Sequence, residues 1–596
     1  MADNKPIALL RKWMKANKVA LFVCNNANPF LGEYVAEHWK TRAWLSGFTG
    51  SNGLLAVGLN EAALWSDSRY ALLAVDELNG TGIAFVNESL PESPTLFDWI
   101  ESLQIARGGV VALDGRTFSI EQTRQIESFC HRYDYELNQS ARPANELWIN
   151  RPPLLFNTVY RMPSEYAGRE TSEKLADIHR EMEKKAADGL LVTALDEVAW
   201  CFNLRGSDID CSPLANALAY ISPTEAVLFV DAAKVTSELR DYLYRQGVII
   251  ADLVKWESFI ASLSKGLNIW IDPRKCNAFF DSLTTVYTKI YGPSPIELLK
   301  SVKNPVEIEG ERAAMVYDGI ALCRLFRWIE EQMAANIPLR ETQIVNRIAE
   351  IRSALPAYMS ESFTAIAGYG ANGAIVHYTA KSGCDAELKA GSLLLIDTGA
   401  HYINGTTDIT RTIALGKPTA EMRRDFTLVL KGHIALAAAI FPEGTRGAQL
   451  DVLARQFLWK EGLTYLHGTG HGIGHVLNVH EGPQSIRLQE NPTVLQSGML
   501  LSNEPGYYKE GCYGIRCENA MLVAEHSQTD SGRFLRFETL SLFPFDAKLI
   551  DRSLLTPDEQ QWLDSYHQTV YEKLAPHLSP DECKWLRGIS ACHIDA

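Results

Sequence analysis

Two periodicities share this chain, and the places where they change divide it. In the first half, short apolar runs of strand length alternate with stretches whose apolar residues recur at helical spacing. Strands are predicted at 18–23, 53–57 and 62–65, with a helix opening near Asp67-Ser68-Arg69-Tyr70. The same grammar returns from residue 172: a helix over 172–187 closed by Gly189 as its C-cap, strands at 190–194, 217–221 and 226–230, and a helix after Asp231. The loops RAWLSGFTGS (42–51) and AWCFNLRGS (199–207) fall at corresponding places, which predicts a whole α/β domain repeated once. The turn-forming segments WINRPP (148–153) and GPSP (292–295) then read as linkers. They bound an N-terminal α/β domain at 1–150 and a second, related one at 151–299.

From about residue 300 the pattern lengthens. Amphipathic helices over 306–334 and 419–441 are interleaved with a hairpin and later strands, predicting one larger α+β domain over 300–596. Its tail carries two helix starts, Thr556-Pro557-Asp558-Glu559 and Ser579-Pro580-Asp581-Glu582, each with a hydroxyl N-cap, proline at N1 and glutamate at N3. Leu563, Tyr566, Val570 and Leu574 share one face of the first of these helices. Such a stripe either packs within the chain or meets a second subunit.

The hairpin is the stretch SLLLIDTGAHYINGTTDITRT, residues 392–412. Residues 393–396 are a buried-strand run and 407–413 alternate with period two, so Asp397 and Asp408 lie on neighbouring strands. A two-residue turn at Asn404-Gly405 would pair Asp408 with His401 and leave Asp397 about 13 Å away, too far to share a metal pair. For the aspartates to meet, the reversal must be centred near Tyr402-Ile403, with the Asn-Gly inside a wider turn or bulge. The hairpin alone is equally compatible with solvated acids.

Composition narrows the chemistry. At 596 residues the chain is too long for one core, and size alone suggests about three or four domains. A net charge of -15 and the lack of a concentrated Lys/Arg stripe argue against a nucleic-acid partner, and no apolar run reaches membrane-spanning length. The start, MADNKPIALLRKWMKANK, has no signal-peptide core, and the eleven cysteines are scattered with no CxxC pair. That usage fits buried thiols in a reducing compartment, so the expected location is the cytoplasm and no thiolate zinc site is expected.

Three further acid or histidine sites follow the hairpin: HGTGHGIGH (467–475), Ser502-Asn503-Glu504-Pro505-Gly506, and Gly514-Ile515-Arg516-Cys517-Glu518-Asn519. Histidines spaced by four would be a zinc stripe on a helix, but Gly468, Gly470, Gly472 and Gly474 make that helix untenable. An extended glycine-rich segment instead brings backbone close to a site and turns one imidazole inward. Glu504 ends a strand-like run and Glu518 lies within the strand-like residues 513–523. Asp397, Asp408, Glu504 and Glu518 supply four negative charges, which match two divalent ions, and His471 adds a neutral nitrogen. Oxygen-rich ligation with one imidazole favours a hard ion such as Mn²⁺, with Co²⁺ or Zn²⁺ also fitting.

The segments IDTGAHYINGTTDITRT, HGTGHGIGHVLNVHEGP, NEPGYY and GIRCEN resemble the metal-binding blocks of the creatinase/methionine-aminopeptidase, or pita-bread, superfamily. Within it the chain resembles the long, three-domain Xaa-Pro aminopeptidase (aminopeptidase P) family, and GANGAIVHY, RAWLSGFTGSNG and ALDEVAWCFNLRGSD extend the likeness over nearly the whole sequence. The resemblance implies two creatinase-N-like α/β domains followed by a pita-bread catalytic domain. It makes Asp397, Asp408, His471, Glu504 and Glu518 the ligands of two metal ions, with Asp408 and Glu518 bridging. His377, His467 and His480 become substrate-side histidines, and Arg516 a partner that orients the acidic ligands. His475 has no place in the family pattern and reads as a supporting or surface imidazole.

The activity so implied is removal of the N-terminal residue from peptides with proline second. That bond is a tertiary amide without N–H, which peptidases that hold substrate as a hydrogen-bonded strand accommodate poorly. His377 would stabilise the developing oxyanion, Glu504 would shuttle the proton, and His480 or His467 would serve the proline side. The rivals are a prolidase limited to Xaa-Pro dipeptides, a methionine aminopeptidase, and a non-catalytic pita-bread binding protein; the intact ligand set argues against the last. The family further implies a homodimer through the C-terminal domain.

Overall fold

The internal repeat is present as two six-stranded sheets with one wiring, in a computed structural model that describes residues 5–283 and 286–590. The first sheet has the order Ala84–Asn87, Ala62–Ser66, Leu54–Gly58, Val19–Asn25, Val110–Ala112, Glu136–Asn138. The second has Val248–Ala251, Ala226–Val230, Ala217–Ile221, Gly189–Val192, Asn268–Ile271, Thr288–Tyr291. Across both, successive neighbours run parallel, antiparallel, antiparallel, parallel, parallel. Period-two side chains explain why the first sheet is covered on both faces. Phe22, Leu55, Val57 and Leu64 join one core, while Leu21, Val23, Ala56, Ala63 and Trp65 join another.

The chain divides into two compact units, Met1–Ser164 with Arg169–Glu297, and Glu165–Gly168 with Leu298–Ala596. Both six-stranded sheets belong to the first. One local expectation there is corrected: Gly189 opens a strand and caps nothing, because the preceding helix ends at Lys184 and Ala186 takes the left-handed turn at φ 49°.

The second unit opens with the helix Pro305–Ala334. Asn304 caps it, its Oδ1 accepting from Val306 and Glu307 N–H at 2.9 and 3.1 Å while Glu307 reaches back to the Asn304 N–H at 2.9 Å. The predicted helix over 419–441 is shorter, Ala420–Ala437, and Ile440–Pro442 instead pairs as an edge strand with residues 534–536. Residues 513–523 are likewise two strands, Tyr513–Arg516 and Asn519–Thr529, paired to different partners, with Glu518 at the break between them.

The hairpin pairs Asp397 with Thr410 and Thr398 with Ile409, then continues past Gly399 with Tyr402 opposite Gly405. Its turn is therefore the tight pair Ile403-Asn404, one residue beyond the expected centre and without a wide loop. Asp408 stands two residues along from the partner of Asp397 on the same face, a diagonal neighbour within reach of a shared ion. At the junction, the two chains come so close that a Cβ on Gly399 would lie 2.0 Å from the Thr407 carbonyl oxygen.

Both tail helices form, Pro557–Leu574 and Pro580–Ser590, with the Thr556 and Ser579 hydroxyls accepting from the Glu559 and Glu582 N–H at 3.3 Å. The stripe of Leu563, Tyr566, Val570 and Leu574 is buried in the same core as Leu322, Phe326 and Ile396. It packs within the chain, so this stripe is not a free subunit surface.

Candidate metal centre

Each acid of the expected set sits where a strand starts, stops or bends. Asp397 lies in Ser392–Thr398, Asp408 directly precedes Ile409–Leu415, Glu504 directly follows Leu500–Asn503, and His471 ends the short strand Gly470–His471. These ends converge. Asp408, His471 and Glu518 each offer a ligand atom, and those atoms all lie within 4.8 Å of one another. His471 Nε2 is 3.4 Å from Asp408 Oδ2 and 3.6 Å from Glu504 Oε1. Its Nδ1 lies 3.0 Å from the Gly472 carbonyl, which can only accept, so Nδ1 carries a proton and Nε2 is turned to the acids.

Arg516 stitches the acids together. Its Nη2 donates to Asp397 Oδ2 at 2.5 Å and its Nε to Thr410 Oγ1 at 3.1 Å; Thr410 Oγ1 in turn donates to Glu518 Oε2 at 2.6 Å. Asp397 Oδ1 is buried and hydrogen-bonds to none of the described residues.

Electrostatics describe a site short of positive charge. Burial raises the Asp397 carboxyl, with Arg516 opposing and Asp408 adding to the rise. Burial likewise raises Glu504, against the pull of His471 and Arg516, and lifts Glu518 well above the carboxylate range with Asp408, Asp397 and Glu504 reinforcing it. For His471 burial acts downward, but the hydrogen bond to Asp408 and the charges of Glu504 and Asp408 prevail and raise it to about 9. Asp397, Asp408, Glu504 and Glu518 face one guanidinium and one imidazole, a negative excess that divalent cations would offset. The orphaned Asp397 Oδ1, the inward-facing Nε2 and this charge deficit fit two divalent ions.

The other expected residues are placed as follows. His480 stands edge-on to His471, ring centroids 4.4 Å apart at 78°. His467 has its Nδ1 2.7 Å from the Gly468 carbonyl and its Nε2 2.9 Å from the Tyr508 hydroxyl, which also receives Arg516 Nη1 at 2.7 Å. His377 is half-buried on the segment after Gly370–Ala374. The Gly370–Ala374 turn that leads into it is pressed onto the strand bearing Arg516, since a Cβ on Gly514 would lie 1.7 Å from the Gly373 oxygen. His475 is buried, with Nδ1 2.8 Å from Glu311 Oε1 and Nε2 3.1 Å from the Tyr166 carbonyl, and belongs to the support of the glycine-rich loop.

Sequence reasoning missed Glu341. This fully buried carboxylate accepts from Tyr369 N–H at 2.7 Å, Asn372 Nδ2 at 3.0 Å, Tyr378 OH at 2.8 Å and Ala386 N–H at 2.8 Å, and so anchors the loop on which His377 rides. Its position at the start of the helix Glu341–Ser353 made it read as an ordinary first-turn acid. Tyr508 was also missed, although it lies inside the NEPGYY block.

Comparisons with known proteins agree along the whole chain. Residues 309–525 match the pattern of Metallopeptidase family M24, residues 533–591 that of the C-terminal region of peptidase_M24, and residues 6–137 and 150–307 each match a Creatinase/Prolidase N-terminal domain. The chain is 38% identical over 597 residues to Aminopeptidase P2 of Arabidopsis thaliana, covering 94% of this chain and 83% of that one. It is 38% identical over 611 residues to a probable Xaa-Pro aminopeptidase P of Coprinopsis cinerea, covering 98% and 97%. Among solved structures, X-prolyl aminopeptidase of Caenorhabditis elegans, described as a cytosolic enzyme with a di-nuclear active site, superimposes with a TM-score of 0.94 at 31% identity, covering 99% of this chain and 100% of that one.

Proposed function

The chain belongs to the Xaa-Pro aminopeptidase (aminopeptidase P) family of M24 metallopeptidases, and from that premise we propose how its own residues divide the work. It is a metal-dependent hydrolase that releases the N-terminal residue from peptides with proline in the second position. The observation that carries the reading is the convergence of Asp408, His471 and Glu518 within 4.8 Å, beside an Asp397 already oriented by Arg516. Asp397, Asp408, His471, Glu504 and Glu518 would hold two divalent ions. When bound, such ions supply Lewis-acid activation of water and of the scissile carbonyl.

The protein's own groups do the rest. Arg516 keeps Asp397 and, through Thr410, Glu518 in fixed orientation, so the site needs little reorganisation when substrate arrives. Glu504, its Oε1 3.6 Å from His471 Nε2, takes a proton from the attacking water and passes it to the proline nitrogen as the bond breaks. His377 donates to the carbonyl oxygen as negative charge develops there, and His480, held against His471, lines the proline side. His467 has both ring nitrogens engaged by Gly468 and Tyr508, which fits a substrate-side wall better than a proton carrier.

Three finer points are part of the proposal. The donor set of four carboxylates and one imidazole supports Mn²⁺ as the resident ion, with Co²⁺ or Zn²⁺ able to substitute. The free cysteines and the cytosolic description of the Caenorhabditis elegans relative support a cytoplasmic location; among the described residues no helix is long and apolar enough to cross a membrane. A homodimer through residues after 300 rests on the family resemblance, and the tail stripe no longer contributes to it. The test is hydrolysis of Xaa-Pro-Yaa tripeptides, Xaa-Ala-Yaa tripeptides and Xaa-Pro dipeptides in Mn²⁺ and in chelator. Release of Xaa from the proline tripeptides alone, abolished by chelator, is the expected pattern. Cleavage confined to dipeptides would make it a prolidase.

A further inference from the structure

The helix Ala420–Ala437 carries His433, a fully buried histidine that no sequence motif singles out. Its neighbours fix where the ring proton sits. Asn519 Oδ1 accepts from Arg411 Nη2 at 2.8 Å, and a guanidinium can only donate, so the carboxamide oxygen faces Arg411 and Nδ2 faces His433 Nε2 at 3.0 Å. A carboxamide nitrogen only donates, so Nε2 is the acceptor and the proton is on Nδ1. That Nδ1 lies 3.1 Å from the carbonyl of Asn503 and 3.2 Å from the carbonyl of Cys517.

Asn503 and Cys517 are the residues directly before Glu504 and Glu518, and Asn519 directly follows Glu518. One imidazole therefore ties the two backbone segments from which both glutamates project. The strand register between them ends at Asn503 opposite Asn519, so the ring takes over where the ladder stops. The tie is returned by Asn503 Nδ2, which donates to the His433 carbonyl at 3.0 Å. Phe545 and Trp562 stand edge-on to the ring at 5.2 and 6.0 Å and hold it in plane.

We infer that His433, as its neutral Nδ1–H tautomer, is a positioning residue that holds Glu504 and Glu518 at the separation a metal pair needs. The inference rests on the ligand assignment proposed above, and its test separates the two. Metal-stripped full-length protein is titrated with Mn²⁺ by calorimetry as wild type, His433→Asn and His433→Gln, and kcat and KM are measured on an Xaa-Pro-Yaa peptide. Asparagine places an amide nitrogen where Nδ1 stands and keeps the tie to the two carbonyls. Glutamine places it at the Nε2 end and loses that tie. The expected result is Mn²⁺ affinity lowered about 10–100-fold in His433→Gln and largely retained in His433→Asn, with kcat falling more than KM rises in the glutamine variant. A glutamine variant that binds Mn²⁺ like wild type overturns the inference, as does an asparagine variant as weak as the glutamine one. Wild type that binds no Mn²⁺ overturns the ligand assignment itself.

Discussion

Arg516 Nη2 meets Asp397 Oδ2 at 2.5 Å and leaves the other carboxylate oxygen, Oδ1, buried without a hydrogen bond to any described residue. The guanidinium also reaches Thr410 and Tyr508, so it fixes the carboxylate's direction as well as balancing its charge. A single ammonium cannot span those three partners. Arg516→Lys is therefore expected to lower Mn²⁺ affinity about 10–100-fold, read by calorimetric titration of the stripped protein. Unchanged affinity would mean that charge alone is required.

The histidines outside the ligand set touch substrate in this account and do not hold metal. His377→Ala and His480→Ala should each keep the full metal content while kcat falls about 10²-fold or more, measured by elemental analysis alongside steady-state kinetics. Loss of metal from either variant would make that histidine a ligand. His480 is the sharper case, because its ring lies against His471.

Acid sensitivity of the catalytic unit should owe a share to the tail. His567 is buried, and its Nε2 accepts from the Phe545 N–H at 3.1 Å, which requires a neutral ring. Burial lowers its pKa from 6.5 to about 4. Because the folded value is the lower one, the unfolded chain takes up the proton first on acidification. The stability this ring contributes is fully present above pH about 6.5 and is lost as pH falls through about 4. Thermal unfolding of wild type and His567→Gln between pH 7 and pH 4 should show a smaller loss in the variant, whose amide oxygen keeps the Phe545 contact without titrating. Parallel pH profiles would remove His567 from the acid response.

Much of this was legible in the residues. The repeated domain could be read because strand runs and their loops recur in order, and both sheets carry the same wiring. The five ligand candidates could be proposed because their side-chain chemistry is unusual in combination; the structure brings atoms of Asp408, His471 and Glu518 within 4.8 Å of one another and Glu504 Oε1 to 3.6 Å from His471 Nε2. The hairpin centre was missed by one residue, because side-chain alternation fixes which face a residue takes but leaves the loop length between strands open. Glu341 and His433 were invisible for another reason. Each acts on backbone groups of distant segments, His433 on Asn503 and Cys517 and Glu341 on Tyr369 and Ala386, and no local spacing announces such partners. The tail stripe was read correctly as apolar, but an apolar face alone does not say which surface covers it; here the Tyr566 hydroxyl answers by lying 2.9 Å from the Ser541 carbonyl and 3.0 Å from the Phe543 carbonyl within the same unit.

The central claim is that this chain's hydrolysis of Xaa-Pro peptides depends on two metal ions gathered by Asp397, Asp408, His471, Glu504 and Glu518. Stripped protein titrated with Mn²⁺, with bound metal and Xaa-Pro-Yaa hydrolysis measured on the same samples, tests it directly. The account predicts saturation at about two ions per chain, with activity rising alongside occupancy, and loss of both in Asp408→Asn. Full activity in stripped protein, or saturation with activity intact in Asp408→Asn, would contradict it.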